Sequence, residues 1–365
     1  MSKQDHSRVA LITGGAGFIG SNLAQRLLEE SDTRVRVFDN FSRGGVARNA
    51  AWLQTLPGAQ RLEIVEGDVR NVAAVERAVK GATEIFHLAA QVAVTTSVDN
   101  PVEDFEANAL GTFQVLEAAR RSPLRPFFLF TSTNKVYGSL EGVPVEVDGT
   151  RYRAADLAFC GVAEDTPLDF HSPYGCSKGA ADQYVRDYGR IYDLPTAVLR
   201  MSCIAGPRQF GNEDQGWVAH FLYSALAEQD ITVYGDGFQV RDILHVHDLI
   251  DAMLAVREQT PEVRGEVYNL GGGLDRAASV IEMLRSIERL TGKPLHLNYD
   301  AVRPGDQPLY IADTGKLERN TGWRPVRSLN ETLSSIHEFW KANTDAIQAR
   351  FPLRGTPELQ AQEVL

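Results

Sequence analysis

The stretch from Val9 to Asp39 constrains the fold more than any other part of the chain. Val9-Ala10-Leu11-Ile12-Thr13 is a short apolar run of strand type. Gly14-Gly15-Ala16-Gly17-Phe18-Ile19-Gly20 follows at once, and a helical pattern continues to Glu30. Glycines at 14, 17 and 20 let the backbone turn sharply and approach a pyrophosphate. A helix starting there offers that anion free N–H groups and a positive dipole end. A second strand pattern, Arg34-Val35-Arg36-Val37-Phe38, ends at Asp39. A carboxylate roughly 20 residues beyond the glycines can bind both hydroxyls of an adenosine ribose and repels a 2′-phosphate. This order predicts a Rossmann-type unit for NAD rather than NADP, with Asn40 and Arg43 beside the ribose. The cation of Arg43 weakens that preference somewhat. The alternative is a glycine-rich turn that binds nothing.

The alternation continues. Residues 62–69 read as a third strand, with Asp68 and Val69 placed to flank an adenine. Asp68 could equally cap a helix over 71–80. Residues 84–90 form a fourth strand running into small side chains at Ala89 and Ala90, which let a cofactor pass close to the backbone. His87 reads as a packed strand residue. A helix over 104–121 carries Asn108 on an apolar stripe. Phe127-Phe128-Leu129-Phe130 is wholly apolar, as the centre of a parallel sheet should be, and 196–201 is the next strand. The expected fold is α/β, a Rossmann-type doubly wound parallel sheet with a smaller α/β carboxyl-terminal substrate domain. Residues 1–203 form the first domain and 204–350 mainly the second. The chain returns to the first around 242–260, with a strand over 242–246, and 351–365 is a polar tail. Further helices are expected over 216–229, 278–291 and 329–343.

Two features point to chemistry. Ser172-Pro173 suits a helix start, so Tyr174 and Lys178 fall on one helical face. An ammonium near a phenol favours phenolate, so the Tyr174 pKa is expected to fall towards neutrality. Tyr174 could then carry a proton to and from a sugar hydroxyl. Thr133 stands beyond the end of its strand, where ligands of open α/β sheets bind. It could hold a substrate hydroxyl beside Tyr174, or merely satisfy local backbone. The helix after Ser172 shows a stripe of Tyr174, Ala181, Tyr184, Val185, Tyr188 and Ile191, expected to be buried against the sheet or a second subunit. Residues 139–171 are either a lid or a surface insertion.

Bulk properties exclude other classes. The 365 residues carry a formal net charge of -11 without a Lys/Arg block, which argues against nucleic acid as a partner. No apolar run is long enough for a membrane span. Cys160, Cys176 and Cys203 have no metal-ligand spacing and form no even disulfide set, so no metal is expected and a cytoplasmic location fits.

Taken together, the chain resembles the extended short-chain dehydrogenase/reductase family from about Val9 to Asn343. The resemblance rests on the glycine run, on Thr133, Tyr174 and Lys178, and on Tyr234-Gly235-Asp236-Gly237 followed by Arg241-Asp242. It implies NAD contacts from Gly14, Gly17, Phe18, Ile19, Gly20, Asp39, Asp68, Val69, Leu88, Ala89, Asn108, Tyr174, Lys178 and Met201. It implies nucleotide-sugar contacts from Thr133, Asn134, Gln215, Val218, Tyr234, Arg241, Arg303 and Asp306. Cys203 would face the sugar without acting as a nucleophile. Dehydratases of this family carry Asp-Glu after the threonine. Here Asn134-Lys135 stand there, and an amide and an ammonium cannot replace a protonated acid and a carboxylate base.

Strings such as Ser132-Thr133-Asn134-Lys135-Val136-Tyr137-Gly138 and Gln209-Phe210-Gly211-Asn212-Glu213-Asp214-Gln215-Gly216-Trp217-Val218 are similar to the branch that inverts carbon 2 of CDP-hexoses. Ala205 departs from the tyrosine common in relatives. The implied activity is nucleotide-sugar epimerisation through transient oxidation by tightly bound NAD, in a homodimer or higher homo-oligomer. A 4-epimerase, a 4-keto reductase and a non-catalytic NAD-sensing protein are the alternatives.

Overall fold

The computed structural model describes residues 8–30, 33–260, 262–303, 305–349 and 351. The expected polar tail, apart from Phe351, lies outside the described residues. In the first half, β1 (Val9–Thr13), α1 (Phe18–Glu29), β2 (Arg34–Asp39), α2 (Val46–Leu53), β3 (Leu62–Glu66), α3 (Val72–Val79) and β4 (Glu84–His87) alternate. Then come α4 (Val94–Asp99), α5 (Pro101–Phe105), a π-helical segment Glu106–Leu110, and α6 (Gly111–Arg121). β5 (Phe127–Thr133), a hairpin of β6 (Val145–Asp148) and β7 (Arg151–Ala154), α7 (Ser172–Tyr192) and β8 (Thr196–Met201) follow.

The second half holds β9 (Cys203–Ala205), α8 (Trp217–Leu226), β10 (Asp230–Tyr234), β11 (Val240–His245), α9 (Val246–Glu258) and β12 (Glu266–Leu270). It ends with β13 (Ala277–Ser279), α10 (Val280–Thr291), β14 (His296–Asp300), β15 (Leu309–Tyr310), α11 (Gly315–Thr321), α12 (Leu329–Ala342) and α13 (Thr344–Gln348).

The central sheet has seven strands in the order β12-β8-β5-β4-β1-β2-β3, and every pairing is parallel. Its strand β5 is buried along its whole length. Alternation explains this. Phe127 and Leu129 enter the core formed with α1 and α9, while Phe128 and Phe130 enter the core under α3, α6 and α7. Helices on both faces leave no place for a polar face, hence the continuous apolar run. The chain winds from β1 out to β2 and β3, then crosses to the other side of β1 for β4. That reversal opens a crevice at the carboxyl ends of β1 and β4.

A second core lies among α8, α10 and α12, with Leu222, Met283, Ile336 and Trp340 buried in it. Both α10 and α12 start in a capping box, Ser279 with Glu282 and Ser328 with Glu331, which satisfies the first free N–H groups. Beside this core stand a sheet ordered β13-β11-β15, with β9 also pairing with β11, and the pair β10-β14.

Several expectations change. The strand expected over 242–246 is β11, and it joins the smaller sheet instead of the central one. The chain returns to the central layer through α9, whose Leu249, Ile250 and Met253 pack with Leu23 and Leu27 of α1, and through β12. The helix expected over 104–121 is interrupted by the π-turn at Asn108. Residues 139–171 are a docked element. The Tyr152 N–H donates to the Phe238 carbonyl at 2.9 Å, and Val162 bridges to Ala312. Within the α7 stripe, Ala181, Val185 and Tyr188 are buried, but Tyr184 and Ile191 face outward.

Candidate active site

The glycine turn forms the floor of a cleft of about 380 Å³ at the switch point, within the range of small-molecule sites. Gly14 has φ +67°, and a Cβ there would lie 2.8 Å from the Ala89 nitrogen. Gly20 touches the turn itself, since a Cβ would come within 2.4 Å of the Gly14 carbonyl. Gly17 caps α1, and a Cβ there would lie 3.1 Å from the Gly14 carbonyl. The first turn of α1 carries no acid, so its free N–H groups at Phe18 and Ile19 present an uncancelled positive end to the cleft.

Asp39 ends β2 at the cleft wall. Its carboxylate accepts the N–H groups of Ala16 and Phe41, each at 3.0 Å. Burial nevertheless pushes its pKa up. Asn40 donates to Asp68 at 2.9 Å, and Arg70 grips the same carboxylate at 2.9 and 2.7 Å. Hydrogen bonding from Arg70 holds Asp68 well below the usual carboxylate range. Asp68 does not cap α3. That cap is Asn71, which accepts the Ala74 N–H at 3.0 Å. Arg43, Val69, Leu88, Ala89 and Ala90 line the same cleft, the last three beyond the carboxyl end of β4.

His87 is fully buried between the hydroxyls of Thr13 and Thr112, at 2.7 and 2.9 Å. Burial lowers its pKa to about 3. It is a packed residue, as the sequence suggested.

Asn108 does not line the cleft. Its amide is committed elsewhere, accepting from the Gln91 N–H at 2.9 Å and donating to the Gln91 carbonyl at 3.0 Å. It therefore braces the loop that forms the cleft wall. A π-turn at such a position shifts the register of the helix around it.

At the carboxyl ends of the central strands, Thr133 and Met201 are register partners on β5 and β8. Tyr174 and Lys178 approach from α7, and both are buried. Ser172 stands at φ +67°, and its hydroxyl accepts the Gly175 N–H at 3.2 Å, so it acts as the cap that Pro173 requires. The Tyr174 N–H donates to Ser97 of α4 at 3.2 Å, pinning the start of α7.

Here the expected phenolate is corrected. Burial pushes the Tyr174 phenol up to about 12, against the lowering influence of the Thr133 hydroxyl. Lys178 makes its hydrogen bond to β5. It donates to the Thr131 carbonyl at 2.6 Å and lies 4.2 Å above the Phe130 ring. Burial draws its ammonium down to about 7. Loss of water disfavours the charged form of each group, raising the phenol and lowering the ammonium.

The candidate substrate residues fall into groups. Asn134 donates to Gln307 at 3.0 Å. Lys135 pairs with Asp306 at 3.5 Å, and Arg241 pairs with the same carboxylate at 2.6 Å. Arg303 stacks 3.9 Å over the Tyr234 ring, whose hydroxyl donates to Glu213 at 2.5 Å. Gln215 lies with Asn212 and Asp214 on the rim of the dinucleotide cleft, where Arg303 pairs with Asp214 at 3.5 Å. The Val218 side chain is buried in the second core. Only its backbone, in the first turn of α8, is left to meet a ligand. Cys203 accepts from the Trp217 indole at 2.9 Å, and burial raises its thiol to about 11, so it is no nucleophile. Glu213, Gln307, Asp104 and Ser177 were not expected. Their partners lie far away in sequence. The nearest signal was an acid four residues before Asn108 on the same helical face.

Among the described residues no helix is long and apolar enough to cross a membrane. No group of three or more His, Cys, Asp or Glu side chains that could hold a metal occurs among them.

The GDP-mannose 4,6 dehydratase family profile matches residues 11–336. The chain is similar to a CDP-paratose 2-epimerase of Salmonella typhi, 41% identical over 336 residues, covering 90% of this chain and 98% of the relative. A UDP-glucose 4-epimerase of Thermotoga maritima, solved with UDP-glucose, is 30% identical with a TM-score of 0.78, covering 92% of this chain and 99% of that one. A UDP-glucuronic acid 4-epimerase of Bacillus cereus, solved with UDP-glucuronic acid and NAD, is 28% identical with a TM-score of 0.78 over the same shares. The chain thus belongs to the GDP-mannose 4,6 dehydratase family, within the extended short-chain dehydrogenases/reductases that its motifs resemble.

Proposed function

We propose that this protein is an NAD-dependent nucleotide-sugar epimerase that inverts carbon 2 of a CDP-linked hexose. The observation that carries the reading is the pair of residues directly after Thr133. Neither Asn134 nor Lys135, tied to Gln307 and Asp306, carries a carboxyl group that could serve as acid or base for eliminating water. The similarity to a CDP-paratose 2-epimerase supports carbon 2 and cytidine. A 4-epimerase on a UDP-sugar is the second reading, favoured by the fold-level similarity to UDP-sugar 4-epimerases.

The cleft fits NAD. A Cβ at Gly14 or Gly20 would collide with backbone, the α1 N-terminus offers N–H groups for the diphosphate, and Asp39 suits the adenosine ribose. When bound, NAD supplies a hydride acceptor for one half-reaction and a donor for the other. Tyr174, in its phenolate form, takes the proton of the 2-hydroxyl and later returns it, so the phenolate is restored each turn. Thr133 orients the reacting oxygen, and the charge of Arg43 favours the base form of Tyr174. Lys178 is the nearby cation. The 2-keto sugar turns in the pocket between the two half-reactions, which inverts the centre. Met201 and Cys203 stand beside it. Arg241, Arg303 and Tyr234 hold the nucleotide end, arginine being suited to bidentate phosphate contact. The central-sheet layer holds the dinucleotide, and the layer around α8, α10 and β11 holds the nucleotide-sugar.

The test is CDP-paratose deuterated at carbon 2. The product should keep the label, since the hydride never leaves the site. Exchange of the label into water would sink the reading, and conversion of UDP-sugars alone would favour the 4-epimerase.

The same reading includes self-association. Val102, Phe105, Phe113 and Tyr184 are exposed on the α5–α6 and α7 faces, and Phe113 meets Tyr184 edge to face at 5.7 Å. Apolar residues so grouped favour a partner surface. Sedimentation should give a dimer that Phe113→Glu dissociates, and a wild-type monomer would refute this.

A further inference from the structure

A buried carboxylate that the proposed chemistry does not use lies behind Tyr174 and Lys178. Asp104, on α5, is 1% exposed. One of its oxygens accepts the Ser177 hydroxyl at 2.5 Å, and the other accepts the Asn108 amide at 3.0 Å. The Asn108 amide also reaches the Ser177 hydroxyl, at 3.2 Å. Ser177 sits on α7 directly before Lys178, and its hydroxyl lies 3.2 Å from the Tyr174 carbonyl. One carboxylate therefore ties α5, the π-turn and α7 together at the level of the reacting groups.

The charges point the same way. Asp104 and Asp182 both act on the Lys178 ammonium. Asp182 is already committed to Arg200, at 2.9 and 3.0 Å. The hydrogen-bond partners of Asp104, Ser177 and Asn108, are neutral. Burial raises the pKa of Asp104, while Lys178 lowers it, so the lysine and this carboxylate stabilise each other's charged forms. Tyr174 also feels Asp104, which opposes phenolate.

We infer that Asp104 is a positioning residue of the hydride-transfer centre: through Ser177 and Asn108 it sets α7 against the π-turn, and its charge is the counter-ion of Lys178. This inference rests on the epimerase reading above. Removing the charge has a signed consequence. Without it Lys178 loses its proton at lower pH and Tyr174 loses its own at lower pH, so both limbs of the pH–rate profile move towards acid. A purely structural role lowers the rate and leaves the limbs in place.

The experiment uses purified holoenzyme and CDP-paratose. Wild-type turnover is established first, and its absence would count against the epimerase reading and not against Asp104. Asp104→Asn should then shift both limbs by about one unit to lower pH, the scale of a nearby charge. Asp104→Glu should slow turnover but hold the limbs. Without added nucleotide, the Tm of Asp104→Asn relative to wild type should fall as pH is lowered. The variant lacks the acid-side stabilisation of a carboxyl with raised pKa, and its lysine is held neutral more strongly. Unchanged limbs in Asp104→Asn, or a Tm difference that does not vary with pH, overturns the inference. If Asp104→Asn does not fold, Ser177→Ala decides. It should cut kcat at least tenfold with KM within about twofold, since it loosens an interaction beside the reacting groups. Wild-type kcat in that variant overturns the proposal.

Discussion

The Lys178 ammonium donates to the carbonyl oxygen of Thr131 at 2.6 Å, two residues before Thr133 on the central strand. It rests against β5 with its charge over the Phe130 ring. A cation held there by burial and one short bond is poised between charge states near neutral pH, as its pKa of about 7 indicates.

Lys178→Met should therefore reduce kcat by about a hundredfold or more, the usual range for acid–base assistance. It should also alter stability in a pH-dependent way. The folded pKa of Lys178 is depressed from 10.5 to about 7. The stability tied to it is present above the unfolded value and lost as pH falls through about 7. Thermal melts from pH 10 to pH 6 should show the variant gaining on wild type towards acid. A constant difference in Tm would contradict the burial assigned to this amine.

Gly14→Ala should empty the cleft. The position has φ +67°, and the added methyl would meet the Ala89 nitrogen at 2.8 Å. The left-handed backbone alone costs an alanine about 1–2 kcal/mol, and the collision pushes the 88–90 loop away from the cleft floor. Purified variant should carry little dinucleotide by absorbance ratio and should melt several degrees below wild type. Full occupancy at wild-type Tm would mean that the turn does not need glycine.

Asp182→Ala should be among the costliest single changes. Arg200 is 2% exposed, and Asp182 is its only acidic partner among the described residues. Its remaining bond is to the Tyr137 hydroxyl at 3.0 Å. Removing one member of a buried pair strands the other, at about 3–5 kcal/mol. Urea denaturation measures it, and a loss under 1 kcal/mol would show that Arg200 finds water.

Asp242→Asn should flatten the acid side of the stability curve. The Asp242 carboxylate accepts the N–H groups of Gly273 and Ala312 at 3.0 and 3.1 Å and the Ser202 hydroxyl. Burial still raises its pKa from 3.8 to about 6. A raised folded pKa means stability that is full below about 3.8 and lost as pH rises through about 6, worth about 3 kcal/mol at 1.36 kcal/mol per unit. Wild type should lose that much of its unfolding free energy between pH 4 and pH 7. Asn, with the same shape and no charge, should lose less. Parallel curves for the two proteins would refute the assignment.

Much of the first half was legible because its signals are local. Gly14, Gly17 and Gly20 announce a backbone that must turn beneath an anion, and Asp39 ends the next strand at the spacing such a unit requires. The run Phe127–Phe130 could only be a strand covered on both faces. Pro173 with Ser172 marked the start of the helix that carries Tyr174 and Lys178. Beyond Cys203 the periodicity weakens, and the pattern over 242–246 does not tell that β11 pairs within the smaller sheet. A short apolar strand shows that it is buried but not which strands it pairs with, and the choice between β12 and β15 as neighbours depends on connections made elsewhere. The π-turn at Asn108 was hidden for a related reason. One inserted residue is too small a change to read in so short an apolar pattern, and only the pull of Gln91, Asp104 and Ser177 on one amide reveals it.

By itself, then, the amino-acid order determined the winding of the central layer, the cleft at its switch point and the helix that carries the phenol and the amine. Each follows from spacing over a few residues. Tertiary structure alone decided what state those groups are in. The Tyr174 phenol is kept neutral and the Lys178 ammonium weakened by loss of water, and the charges that answer them come from Asp182 on the same helix and from Asp104 and Arg43, dozens of residues away in the chain. Desolvation and Coulomb energy depend on distances through folded matter, and those exist only once the layers have packed.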